Sequence, residues 1–185
     1  LVDNAGVYEK RRQLTEDGVE KTMAVNHFAP YLLTRRLLAA IKAAPTGRIV
    51  VVSSMAHQSG RLSLDDLTFA KGYDGYSAYS ASKLANILFT RALAERLQGT
   101  SVTANSLHPG VIGTKLLRAG FSIGGAPVEQ GARTSVYLAT SAEVEGVSGK
   151  YFVDSREVKP SREARDHALA ESLWSESERL LAAFL

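Results

Sequence analysis

Seven residues, Arg48-Ile49-Val50-Val51-Val52-Ser53-Ser54, decide the fold class. β-branched side chains favour extended backbone. A strand with one wet face alternates apolar and polar residues, and this run does not. It therefore predicts a strand covered on both faces, as in a parallel sheet lying between helices.

The rest of the chain alternates around that strand. Leu1-Val2 ends an apolar run and Asp3-Asn4-Ala5-Gly6 is a turn signal, so a strand enters a loop at the start. Thr15, as N-cap, opens a helical pattern that keeps its apolar spacing to about Ala44 and stops at Pro45-Thr46-Gly47. Residues 55–75 read as a surface excursion, Tyr79 to Gln98 as a helix closed by Gly99, and Ser101 to Leu107 as a strand. Residues 111–128 read as a mobile loop with a short helical piece, a lid over the substrate. Glu129 to Ser141 reads as a helix, Lys150 to Val153 as a strand, and Ser161 to Phe184 as an amphipathic helix. The order β-α-β-α-β-α-β-α implies an α/β layer fold with right-handed crossovers.

Composition removes several classes of function. The chain of 185 residues has no cysteine, which excludes disulfides, thiolate metal sites and a cysteine nucleophile. No apolar run is long enough to span a bilayer and no signal segment stands at the start, so a cytoplasmic location is expected. A net charge of +3, scattered along the chain, gives no nucleic-acid footprint. His57 and His108 lack a ligand set at metal spacing, so no metal site is expected.

Ligands of such sheets bind at the carboxyl ends of the strands. Those ends carry Asn4-Ala5-Gly6, Ser53-Ser54, and Pro109-Gly110 followed by Thr114. The helix beginning near Tyr79 starts on the same edge, and Tyr79 and Lys83, four apart, share one of its faces. A free tyrosine has a pKa of about 10 and is a poor base at neutral pH. A neighbouring ammonium and a helix N-terminus both favour the phenolate, so the pair suits acid/base chemistry. Tyr73 and Tyr76 have serines at the same offset, not a cation. Pro30, four residues after Asn26 inside a helix, takes away the N–H that the Asn26 carbonyl would accept. A kink at Asn26–Pro30, with a water on the freed carbonyl, is expected.

Asn4-Ala5-Gly6, Asn26, Ser54, Tyr79-x-x-x-Lys83 and Pro109-Gly110 follow the order and the elements of the short-chain dehydrogenase/reductase family, which the chain resembles over nearly its whole length. Val52-Ser53-Ser54-Met55-Ala56-His57 and Ser82-Lys83-Leu84-Ala85-Asn86 resemble its retinol-dehydrogenase and protochlorophyllide-reductase-like branch. The resemblance implies the C-terminal portion of a doubly wound Rossmann-type parallel sheet. It also implies an NAD(P)-dependent oxidoreductase interconverting an alcohol and a carbonyl. Tyr79 would be the proton donor and acceptor, Lys83 would lower the Tyr79 pKa and bind the nicotinamide ribose, Ser54 would hold the substrate oxygen, and Asn26 would position a relay water. Asn4, Ala5, Gly6, Tyr79, Lys83, Pro109, Gly110, Val111 and Thr114 would contact the cofactor. The resemblance leans to NADP over NAD. Asp3 stands where the family has Asn, an acid near a cofactor edge.

The family's glycine-rich turn has no counterpart in these residues, nor has the residue that separates NAD from NADP. Residues 1–185 therefore read as a single partial domain, its catalytic half. Two alternatives stand: a piece of an active oxidoreductase, or a product that is inert or serves as an interaction module. Tight cofactor binding by these residues alone is not expected, and an open edge beside Leu1-Val2 would favour self-association, a homo-oligomer included. The substrate is expected to be a hydrophobic alcohol, aldehyde or ketone, because the 111–128 loop and the 56–75 excursion carry Leu116, Leu117, Phe121 and Phe69.

Overall fold

A computed structural model of the chain describes residues 1–121 and 123–185. Ser122, within the expected lid, lies outside the described residues. The five strands are β1 (Val2–Asp3), β2 (Gly47–Val52), β3 (Val102–His108), β4 (Tyr151–Val153) and β5 (Arg156–Glu157), hydrogen-bonded in that order. β1 to β4 are parallel, with Val2 opposite Val50 and Val52 opposite Leu107. β5 returns antiparallel on β4.

The β-branched run forms the covered strand its composition predicts. Ile49 and Val51 face one layer, with Met23, Phe28, Tyr31, Leu88 and Trp174. Val50 and Val52 face the other, with Leu107, Leu138 and Phe152. Helices therefore lie on both sides: α1 (Lys21–Met23), α2 (Ala29–Ala43), α3 (Gly75–Arg96) and α6 (His167–Leu180) on the first, and α5 (Val128–Thr140) on the second. The short α4 (Lys115–Phe121) stands above the strand ends. This is the three-layer, Rossmann-like arrangement.

Several boundaries differ from the sequence reading. The first helix begins at Lys21, not after Thr15. Glu20 caps it, its carboxylate accepting the Thr22 and Met23 N–H groups, while Thr15 to Val19 form a turn around Gly18. The proline at position 30 is accommodated by a π-helical turn, Ala24–Phe28, in which the Ala29 N–H reaches back five residues to the Ala24 carbonyl. α3 starts four residues before Tyr79, capped by Asp74, whose carboxylate accepts the Ser77 N–H at 2.8 Å. The excursion after Ser54 is folded rather than loose, with 3₁₀ turns at Met55–Ser59 and Leu64–Asp66. The terminal helix is shorter than expected, its entry held by Asp166. No helix is long and apolar enough to cross a membrane among the described residues.

Among the described residues, β1 pairs with one strand, β2. Beside it runs a second groove of about 600 Å3, lined mainly by apolar groups such as Val2, Val19, Phe28 and Leu33.

Candidate active site

The strand ends converge as the topology requires. A cavity of about 830 Å3 is lined by Asn4, Ala5 and Gly6 after β1, by Ser53 and Ser54 after β2, and by Pro109, Gly110, Val111 and Thr114 after β3. Tyr79 and Lys83 reach it from α3. Gly110 sits at φ 96°, a backbone conformation that glycine takes without strain, and this turns the chain away from β3. Thr114 starts α4, its Oγ1 accepting the Leu117 N–H at 3.3 Å. Gly60 lets the segment after Ser54 lie directly on α3, since a Cβ there would stand 2.6 Å from the Ser80 carbonyl.

Lys83 is 3% exposed, and its ammonium donates to the Val52 carbonyl at 3.2 Å. Burial pushes its pKa down to about 8. An ammonium carries three donors, and among the described residues this one has a single hydrogen-bond partner. It abuts Gly6, where a Cβ would stand 3.4 Å from Nζ. Unspent donors beside a gap left by a missing side chain fit a hydroxyl-bearing ligand such as a ribose.

Tyr79 does not behave as its spacing suggested. Burial pushes its pKa above the ordinary value, the Ser54 hydroxyl opposes that, and Tyr76 adds to it. Lys83 Nζ stands 5.7 Å from the Tyr79 ring centroid, over the ring, with its hydrogen bond directed at Val52. Desolvation sets the direction, and the only opposing influence comes from Ser54, not from Lys83. Tyr79 also lies in the second turn of α3, not at its first residues, where the helix dipole is strongest. Tyr8, Tyr79 and Phe121 form an aromatic cluster with centroids 5.2–6.0 Å apart, of which Tyr79 and Phe121 line the cavity.

Asn26 is absent from the cavity wall. It is fully buried, and its carboxamide is a staple. The Val7 N–H donates to Oδ1 at 2.8 Å, and Nδ2 donates to the Val7 carbonyl and to Ser82 Oγ, both at 3.0 Å. Ser82 Oγ in turn donates to the Tyr79 carbonyl at 2.7 Å. Asn26 thus ties the loop after β1 to the helix turn that carries Tyr79.

Two other expectations are corrected. Asp3 lines the second groove, not this cavity, and its carboxylate accepts from Thr34 Oγ1 at 3.0 Å. Phe69, whose backbone sits at φ 52°, packs beside Tyr73 against the core and not into the cavity. The excursion lends the cavity only Met55, Ala56, Gln58 and Ser59, whereas α4 supplies Leu116, Leu117 and Phe121. Sequence reasoning assigned no role to Tyr8, which carries no motif, or to Ser82, which it quoted only as part of the segment Ser82-Lys83-Leu84-Ala85-Asn86. Among the described residues, Glu95, His167 and Glu171 come within mutual metal-ligand reach on the surface, but Glu171 already binds Arg96 through two hydrogen bonds at 2.7 Å.

The short chain dehydrogenase family model matches residues 1–122, which include the strand-end loops, Ser54, Tyr79 and Lys83. The chain belongs to that family. Human retinol dehydrogenase 14 is 45% identical to it over 96% of the chain, and the match covers 57% of that relative. The retinol-dehydrogenase branch indicated by the sequence is therefore where this short-chain dehydrogenase finds close relatives. A solved structure of an uncharacterized protein from Mycobacterium paratuberculosis superposes with a TM-score of 0.81 at 33% identity, covering 98% of this chain and 66% of that one. 4-Hydroxyisoleucine dehydrogenase complexed with NADH superposes at 0.60 and 25% identity, covering 82% and 65%.

Proposed function

We propose that the protein carrying this chain interconverts an alcohol and a carbonyl with a nicotinamide cofactor, NADP before NAD, and that Tyr79 moves the proton. The observation that carries this reading is the meeting of Ser54, Tyr79 and Lys83 on one cavity wall beside the loops after β1 and β3. The nicotinamide group, when bound, supplies or accepts a hydride. Lys83, with two unspent donors beside Gly6, holds ribose hydroxyls. Asn4, Ala5, Pro109, Gly110, Val111 and Thr114 shape the same slot.

The protein groups handle the substrate oxygen. Tyr79, held protonated by burial, donates to the oxygen of a carbonyl as negative charge develops there. Ser54, the polar partner of Tyr79, holds that oxygen. In alcohol oxidation the same groups run in reverse. Asn26 keeps the β1 loop and the Tyr79 turn in register. In this reading its backbone carbonyl, within the π-helical turn, positions a water that links Lys83 to solvent.

The apolar wall from α4 and the Tyr8–Tyr79–Phe121 cluster favour a long hydrophobic alcohol or aldehyde, of which retinol, in the relative's name, is the first to test. The assay follows cofactor absorbance during turnover of such a substrate by the protein containing this chain. Tyr79→Phe is expected to lower kcat by roughly 100-fold or more with the fold intact. Unchanged turnover in that variant would overturn the assignment.

A further inference from the structure

Ser54 is held from behind by a histidine for which the proton chemistry has no use. His57 is 1% exposed. Its Nδ1 lies 2.7 Å from the Ser54 carbonyl oxygen, and the Ser161 backbone N–H points at its Nε2 from 3.2 Å. A backbone N–H can only donate, so Nε2 is the acceptor. The ring proton then sits on Nδ1 and is given to Ser54. The same carbonyl also accepts the His57 backbone N–H at 3.2 Å, so both of its lone pairs are engaged. On the hydroxyl side, Ser54 Oγ accepts the Ala56 N–H at 3.2 Å. The His57 ring stands edge-on to Tyr151 of β4, centroids 5.0 Å apart, which fixes its plane.

We infer that His57 is a positioning residue: its neutral Nδ1–H form locks the Ser54 backbone, and with it the Ser54 hydroxyl, toward Tyr79. Through Ser161 it ties that lock to the segment leading into α6. The inference rests on the roles proposed for Ser54 and Tyr79. Burial lowers the His57 pKa, in keeping with a ring that stays neutral. The Ser161 bond asks for the same state, since a protonated ring has no acceptor left.

Two substitutions separate positioning from packing. Asparagine places its amide nitrogen close to where Nδ1 lies, and glutamine places its amide close to Nε2. His57→Asn therefore keeps the donor to Ser54, and His57→Gln keeps only the Ser161 side. Both lose the ring and the same edge contact with Tyr151. The readout is the Tyr79 13Cζ chemical shift at neutral pH in the protein carrying this chain, labelled at tyrosine, assigned by its loss in Tyr79→Phe. That shift responds to hydrogen bonding at the phenol and needs no turnover.

His57→Asn is expected to keep the parent value, and His57→Gln to move to the value of Ser54→Ala, while the melting temperature falls in both. Equal shifts in the two variants, or no shift in His57→Gln while Ser54→Ala moves, would overturn the inference and leave the proposed function standing. A Ser54→Ala shift equal to the parent would overturn both. Should neither variant fold, the 15N spectrum of His57 in the parent protein decides: a proton on Nε2 overturns the lock, and a proton on Nδ1 supports it.

Discussion

Replacing Asp3 by asparagine is expected to stabilise the protein, by an amount that depends on pH. Asp3 is 6% exposed, and burial pushes its pKa up to about 6, against the lowering effect of the Thr34 hydroxyl. The reference carboxyl value is 3.8. A raised carboxyl pKa means that the folded protein resists the charge. The penalty is absent below pH 3.8, grows as pH rises, and is complete above about 6. Two pKa units at about 1.4 kcal/mol each set a ceiling of about 3 kcal/mol. Asparagine keeps an oxygen for the Thr34 hydroxyl, 3.0 Å away, and carries no charge. A gain of about 1–3 kcal/mol at pH 7.5 follows, or several degrees in melting temperature for a chain of this size. Urea unfolding of both proteins from pH 4 to 8 measures it. The gap should close toward pH 4. A gap that does not change with pH, or an Asp3→Asn variant weaker throughout, would refute the reasoning.

Lys83 offers the mirror case. Its lowered pKa, about 8, places the penalty at neutral pH and removes it as pH rises past 10.5. Lys83→Met should therefore raise stability by about 1–3 kcal/mol at pH 7 in denaturant melts, because the Val52 carbonyl keeps its bond from Asn86 Nδ2, while cofactor binding by the protein carrying this chain falls sharply in a fluorescence titration. Asn26→Asp aims a buried carboxylate at the Val7 carbonyl and at Ser82 Oγ, whose own proton is already given to Tyr79. A loss of about 2–4 kcal/mol at pH 7.5 is expected, shrinking toward pH 4 as the acid is protonated, and parent-like stability at pH 7.5 would contradict the staple.

The parts of the fold that were legible are those where one local rule acts alone. The β-branched run gave β2, the alternating apolar helices gave the layers, and the Tyr79–Lys83 spacing put both residues on one cavity. Boundaries failed where two rules compete. Thr15-Glu16-Asp17-Gly18 has the chemistry of a helix cap, but Gly18 at φ 76° closes it into a turn, and Glu20, an uncommon cap, takes over. α3 begins four residues before Tyr79, where the Asp74 carboxylate caps it ahead of Gly75, a residue that does not by itself signal a helix. β5 went unseen because its two residues are exposed and its turn uses Asp154 and Ser155 at φ 48° and 59° without a glycine. The state of Tyr79 and the bonds of Asn26 and His57 were illegible for a different reason. The Asn26 bonds and the His57–Ser161 bond reach partners 19 to 104 residues away, which no spacing along the chain encodes, and the short His57–Ser54 bond depends on a ring orientation that the sequence does not give.

α3 lies between the sheet and α6, and nearly every side chain from Ala78 to Leu93 is buried. That burial sets a hierarchy in amide hydrogen exchange. The amides of Tyr79 and Lys83 can meet solvent only when the whole sheet layer opens, so they should be among the slowest in the protein. The α4 amides across the cavity, on a seven-residue helix, should exchange by local opening long before. The two walls of one cavity would then differ in exchange rate, the α3 wall opening only with the layer it belongs to and the α4 wall opening by itself.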